Sequence, residues 1–96
     1  MTEYQITYWR EFPSLVTARE GDEVAKSPLP QRFQEAIDEA AMRLGAIDSD
    51  AYLEGWRRAD WVEATGTPAE VASSVAARLD EEHGTERLER MLEELT

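Results

Sequence analysis

The chain has 96 residues, enough for one domain with one core, and 42% of them are hydrophobic with 8% aromatic, which marks a folding sequence and not a disordered one. Ten Lys and Arg against 21 Asp and Glu leave a formal charge of -11, which repels phosphate backbones and anionic lipid, so no nucleic acid and no membrane is expected as a partner. The absence of cysteine excludes disulfides and thiolate-held metal or iron–sulfur sites, and it suits a reducing compartment.

Tyr4, Ile6 and Tyr8 alternate with Gln5, Thr7 and Trp9, the period of a strand with one buried face. Trp9 falls opposite the Tyr4, Ile6 and Tyr8 set, so either both faces are covered there or Trp9 is partly exposed. Phe12-Pro13-Ser14 is expected to break the run, because proline lacks the ladder donor. Leu15 to Ala18 then make a second, shorter strand in a hairpin with the first. Arg19 to Asp22 form a polar turn around Gly21, and Glu23 to Lys26 a short edge strand.

Pro28-Leu29-Pro30 leads into the main helix, from about Pro30 to Leu44. Phe33, Ala36, Ile37, Ala40, Ala41 and Leu44 recur at three- and four-residue steps and form a ridge that must be buried against a sheet or other helices. Gly45 stands where a left-handed C-cap belongs. Asp48 to Gly55 reads as a capped single turn, with Asp48 or Ser49 as the cap. Trp56 to Ala64 returns to strand. Thr67-Pro68-Ala69-Glu70 is a capping box that opens a helix with a Val71, Val75 and Leu79 stripe. His83-Gly84 stops it. Thr85 caps a last helix whose Leu88, Met91, Leu92 and Leu95 need cover, either on the domain itself or in a homo-oligomer.

The element order ββ(β)αβαα predicts an α+β fold: a small, mainly antiparallel sheet of three or four strands with helices packed on one face. The last strand is placed most simply beside the first. Residues 1–96 make a single domain, and 85–96 are a candidate C-terminal extension.

Chemistry is harder to find. The one histidine, His83, lies in the last turn of a helix, where a capping role is ordinary. Carboxylate pairs carry no information in so acidic a chain. Asp48, Asp50 and Glu54 lack the third donor and the glycine of a calcium loop, so no metal is expected. Scattered glycines make no phosphate loop, and no cofactor is implied. What stands out is a group of aromatics and arginines, Trp9, Arg10, Phe12, Trp56, Arg57, Arg58 and Trp61, the residue types enriched where proteins bind one another. The bland alternative is that the tryptophans fill a small core and the arginines pair with the many acids.

Tyr8-Trp9-Arg10 followed by Phe12-Pro13, then Arg32 to Asp38 with Ala40 to Arg43, then Asp50 to Trp56, resemble the small bacterial domain family known as virulence factor, over roughly Tyr4 to Glu82. The resemblance implies no reaction, ligand or catalytic residue. It implies a domain that occurs alone and as a module of longer chains, which favours an interaction role, and the Thr85 to Leu95 helix extends beyond its pattern. The expectation is therefore a cytoplasmic accessory or protein-interaction domain, non-catalytic, with the Trp/Arg group as its partner-binding residues. The alternative is a small non-catalytic subunit that completes a multisubunit enzyme.

Overall fold

The computed structural model describes residues 1–45 and 49–95. Asp48, one of the two expected caps of the Asp48 to Gly55 turn, lies outside the described residues, as does the side chain of Ser49. Strands β1 (Thr2–Trp9), β2 (Phe12–Glu20) and β3 (Glu23–Pro28) form an antiparallel meander. Helix α1 (Gln31–Arg43) and the short α2 (Ser49–Glu54) then carry the chain across to β4 (Trp56–Arg58) and β5 (Val62–Ala64), which precede α3 (Pro68–Glu82) and α4 (Thr85–Glu93). The order across the sheet is β3-β2-β1-β4, with β5 also on β1. The fold is α+β, and the strand after the crossover does pair beside the first.

The expected last strand is divided. β4 pairs with Thr7 to Trp9 and β5 with Thr2 to Tyr4, while Ala59, Asp60 and Trp61 between them leave the ladder. The Ala59 N–H donates to the Ile6 carbonyl (3.0 Å), and the Gln5 side-chain amide donates to the Ala59 carbonyl (3.0 Å), so the interruption is stapled to the middle of β1.

Phe12 and Pro13 do not break the second strand; they begin it. The hairpin turns over Arg10 and Glu11, with Arg10 at a φ of 53°, and Trp9 pairs directly with Phe12. Tyr8 faces Pro13 and Thr7 faces Leu15, so Ser14 is an extra residue that makes a bulge. A bulge is where a strand interior tolerates the missing proline donor. Proline at the far end of β3 is tolerated because β3 is an edge strand.

Two hydrophobic clusters take the place of the single core expected. Ile6, Val16 and Ala18 of the sheet meet Val71, Ala72, Val75, Ala76 and Leu79 of α3. Trp9 and Phe12, at the hairpin end, meet Phe33, Ala36, Ile37, Ala40 and Ala41 of α1 together with Leu88 of α4. Leu29 touches both. It is α3, opened by Thr67 with its hydroxyl oxygen accepting the Glu70 N–H (3.2 Å), that lies across the sheet. The α1 ridge is buried as its period demands, but largely against α4 and the Trp9–Phe12 end of the hairpin. Leu88 is buried there, and Met91, Leu92 and Leu95 are half-buried against the same cluster, so the last helix finds cover within the chain.

Arg32 ties the two halves together. Its guanidinium donates to the carbonyls of Asp80 (2.9 Å) and His83 (3.2 Å) and pairs with the Asp80 carboxylate, satisfying acceptors that the end of α3 leaves open. Replacing Arg32 by Met should lower stability by about 2 kcal/mol, whereas Asp80→Asn, which removes only a part-exposed ion pair, should cost under about 1 kcal/mol; denaturant midpoints of the two variants measure the difference. Leu88→Ala should cost about 2–4 kcal/mol by opening the α1–α4 contact, read in the same way.

Candidate functional site

The seven Trp/Arg-group residues divide into three sets by position. Trp9 and Phe12 are fully buried, so neither can touch a partner in the folded chain; for these two, core filling is the role. Trp9 is held on every side. Its indole Nε1–H donates to the Tyr52 carbonyl (2.8 Å), its ring lies 5.8 Å from that of Tyr52 at 30°, and the backbone of Gly55 presses on it so closely that a Cβ there would fall 2.5 Å from the indole.

Arg10, Trp56 and Arg57 gather at the hairpin end. The Arg10 N–H donates to the Gly55 carbonyl (2.8 Å), and Arg57 Nε donates to the Arg10 carbonyl (3.0 Å) with its guanidinium 4.5 Å from the Tyr8 ring centre. Trp56 pairs with Trp9 across the ladder and meets Tyr52 edge-on at 6.0 Å. Both arginines are exposed and Trp56 is half-buried.

Arg58 and Trp61 belong to the other face of the sheet. Register puts Arg58 beside Thr7, on the face opposite Ile6 and Tyr8, which α3 does not cover. Trp61, in the break between β4 and β5, lies under the Arg19 guanidinium at 3.7 Å from its ring centre, and Arg19 also pairs with Glu3 (3.6 Å). Sequence reasoning missed Arg19, because its proximity to Trp61 depends on the strand break. In the sequence Gly55 marks only the end of a turn; the ring packed against it, that of Trp9, lies 46 residues earlier and leaves no local signal.

Beyond its hairpin end, where Trp9 lies under α1 and α4, this face escapes the general acidity. The register assigns it Arg19, Lys26 and Arg58 against Glu3 and Glu63, with Leu15, Thr17 and Val24 between them, and Trp61 joins it through Arg19, in a chain of ten bases and 21 acids. Val24 is 59% exposed. Such an arrangement offers cation–π stacking and aliphatic contact, and Arg19 already lies beside both a ring and an opposite charge. His83, by contrast, is the C-cap residue of α3, with its backbone N–H and its Nδ1 both directed at the Leu79 carbonyl (3.0 and 2.9 Å).

The family described as Virulence factor matches residues 7–92. The chain belongs to that family. The match spans every element from the second half of β1 into α4, reaching past Glu82, where the resemblance of the quoted segments ends, so most of the last helix falls within the family's pattern. Comparisons with curated proteins and with solved structures each return no match.

Burial separates the two classes of tryptophan experimentally. Trp9→Ala should cost about 3–5 kcal/mol and Gly55→Ala about 1–3 kcal/mol, while Trp61→Ala should stay within about 1 kcal/mol of the unsubstituted chain; thermal and denaturant unfolding of the three variants checks this.

Proposed function

We propose that this member of the virulence-factor family is a non-catalytic accessory domain that works by binding another protein. Its contact surface, on this reading, is the part of the sheet face turned away from α3 that lies around Arg19 and Trp61, together with the β4–β5 edge, with Arg10, Trp56, Arg57, Arg58 and Trp61 as the contacts. The observation that carries it is the Arg19–Trp61 stack on the sheet face turned away from α3. Large rigid side chains next to arginines give contact area with little ordering cost, which is why they concentrate at binding hot spots. The near-neutral balance of that face supports a protein partner of ordinary composition, since a partner docking elsewhere meets a strongly acidic surface. The lack of cysteine goes with a cytoplasmic setting.

The experiment is capture from lysate of the source cell on immobilised domain, comparing the unsubstituted chain, Arg58→Glu with Trp61→Ala, and Arg87→Glu on α4 as a control. Retention of a specific protein should fall by about tenfold or more in the first variant and stay unchanged in the control, as removal of a hot-spot pair requires. Retention indifferent to Arg58 and Trp61 overturns the assignment of the face. If the retained protein is an enzyme whose activity disappears without this chain, the domain is the small subunit of that enzyme.

A further inference from the structure

Helix α3 sits over β1, β2 and β3, and its width leaves the strip of sheet at β5 uncovered on the same side. A cleft of about 490 Å³ results, floored by Tyr4, Ala64, Val71 and Val75. Its helical wall is Glu70, Ser74 and Arg78, and its other wall is the edge of β5 from Glu63 to Thr65. Among the described residues β5 pairs with β1 alone, so its outer edge is open.

The geometry points to a specific occupant: an extended segment of a partner protein that adds to β5 as a further antiparallel strand, with a basic residue first, a small or hydroxyl residue two positions on, and an acidic residue four positions on. This rests on the reading of the domain as a protein-binding module and names how the partner would engage it.

The argument is one of spacing and charge. Glu70, Ser74 and Arg78 are four residues apart on α3, so they stand at steps of about 6 Å along the wall. Alternate side chains of an extended strand point the same way at steps of about 6.6–6.8 Å, which matches that wall over three positions. The wall is acidic at one end and basic at the other. Arg78 lies at the Tyr4 end, its guanidinium 3.5 Å from the Tyr4 hydroxyl oxygen, which accepts from it, and Tyr4 pairs with Val62. Glu70 follows β5 by a short turn and lies at the Ala64 end, held to the Thr67 hydroxyl at 3.0 Å.

A strand antiparallel to β5 therefore passes Glu70 first and Arg78 last. Every strand pairing in this sheet is antiparallel, so the added strand continues the pattern. The aliphatic stem of a lysine or arginine suits the floor of Ala64 and Val71, with its charge at Glu70. The intervening residues of the added strand would turn to the opposite face, the one that carries Trp61.

The probe is a set of acetylated, amidated nine-residue peptides of alternating threonine and valine: one with Lys, Ser and Glu at the third, fifth and seventh positions, one with Lys and Glu exchanged, and one with Lys at both. Titration followed by amide NMR shifts should show saturable binding of the first, with a Kd on the order of 0.1 mM, at Val62 to Thr65 and Glu70 to Arg78. The exchanged peptide should bind about fivefold more weakly or worse. Methylating the peptide amides that face β5 should abolish binding, since main-chain pairing is then blocked. Arg78→Glu, an exposed change in mid-helix, should shift preference to the peptide with two lysines.

No saturable binding, equal affinity for both charge orders, or shifts confined to residues away from β5 and α3 overturns the proposal. Capture of a partner that depends on Arg58 and Trp61 but is indifferent to Arg78→Glu overturns this proposal alone and leaves the protein-binding reading standing.

Discussion

The indole of Trp9 against the bare backbone of Gly55 is the contact on which the rest of the molecule depends. A side chain at Gly55 would collide with the ring, so only glycine allows the end of α2 to come this near to the end of β1. The approach brings the Tyr52 carbonyl to the indole N–H and the Gly55 carbonyl to the Arg10 N–H, which fixes the hairpin turn against α2. It also delivers Trp56 opposite Trp9, the first pair of β4. Strands of three residues do not hold themselves on a sheet. β4 stays because Trp9 is already immobile beneath it.

From that contact follows the division of the core. β1 contributes Ile6 to the α3 cluster and Trp9 to the α1–α4 cluster, and the Ser14 bulge sets Phe12 beside Trp9. Neither cluster is large, and neither closes without strands that belong to the other. Arg32 adds a polar link, reaching from α1 to the carbonyls at the end of α3. Loss of packing in one cluster therefore loosens the strands that frame the second, and the domain should unfold as a unit despite its divided interior.

Much of this was legible in the residues. The α1 ridge, the Thr67 capping box and the alternation from Tyr4 to Tyr8 are local signals, and each element formed where its period placed it. What the helices pack against is not local: the apolar stripes of α1 and α3 look alike in sequence, and only the bulge and the tight Gly55 approach decide that α3 takes the sheet and α1 the hairpin end. The alternation from Trp56 to Ala64 reads as one continuous strand; its break depends on Gln5 and Ile6, more than fifty residues away. The site suffers from the same blindness. Trp9, Trp56 and Trp61 are chemically identical, yet one is core, one is half-covered, and one is a platform for an arginine.

The two edges of the sheet differ in a way that bears on function. An open strand edge invites pairing with another chain, and proteins commonly block it with lysine or proline. β3 carries both, Lys26 and Pro28, within its six residues. β5 carries neither in Val62, Glu63 and Ala64, and the cleft beside α3 gives an added strand somewhere to place its side chains. The guarded edge thus lies on one side and the unguarded edge on the other. The Arg19–Trp61 stack stands on the opposite face from that cleft, so a single added strand would present its alternate side chains to both. Because Arg19 is already stacked on Trp61, little of the free energy of the proposed binding would be lost to freezing the pair. On the proposed reading, specificity would come from position alone: one edge that would accept a strand, and two faces that would read its side chains.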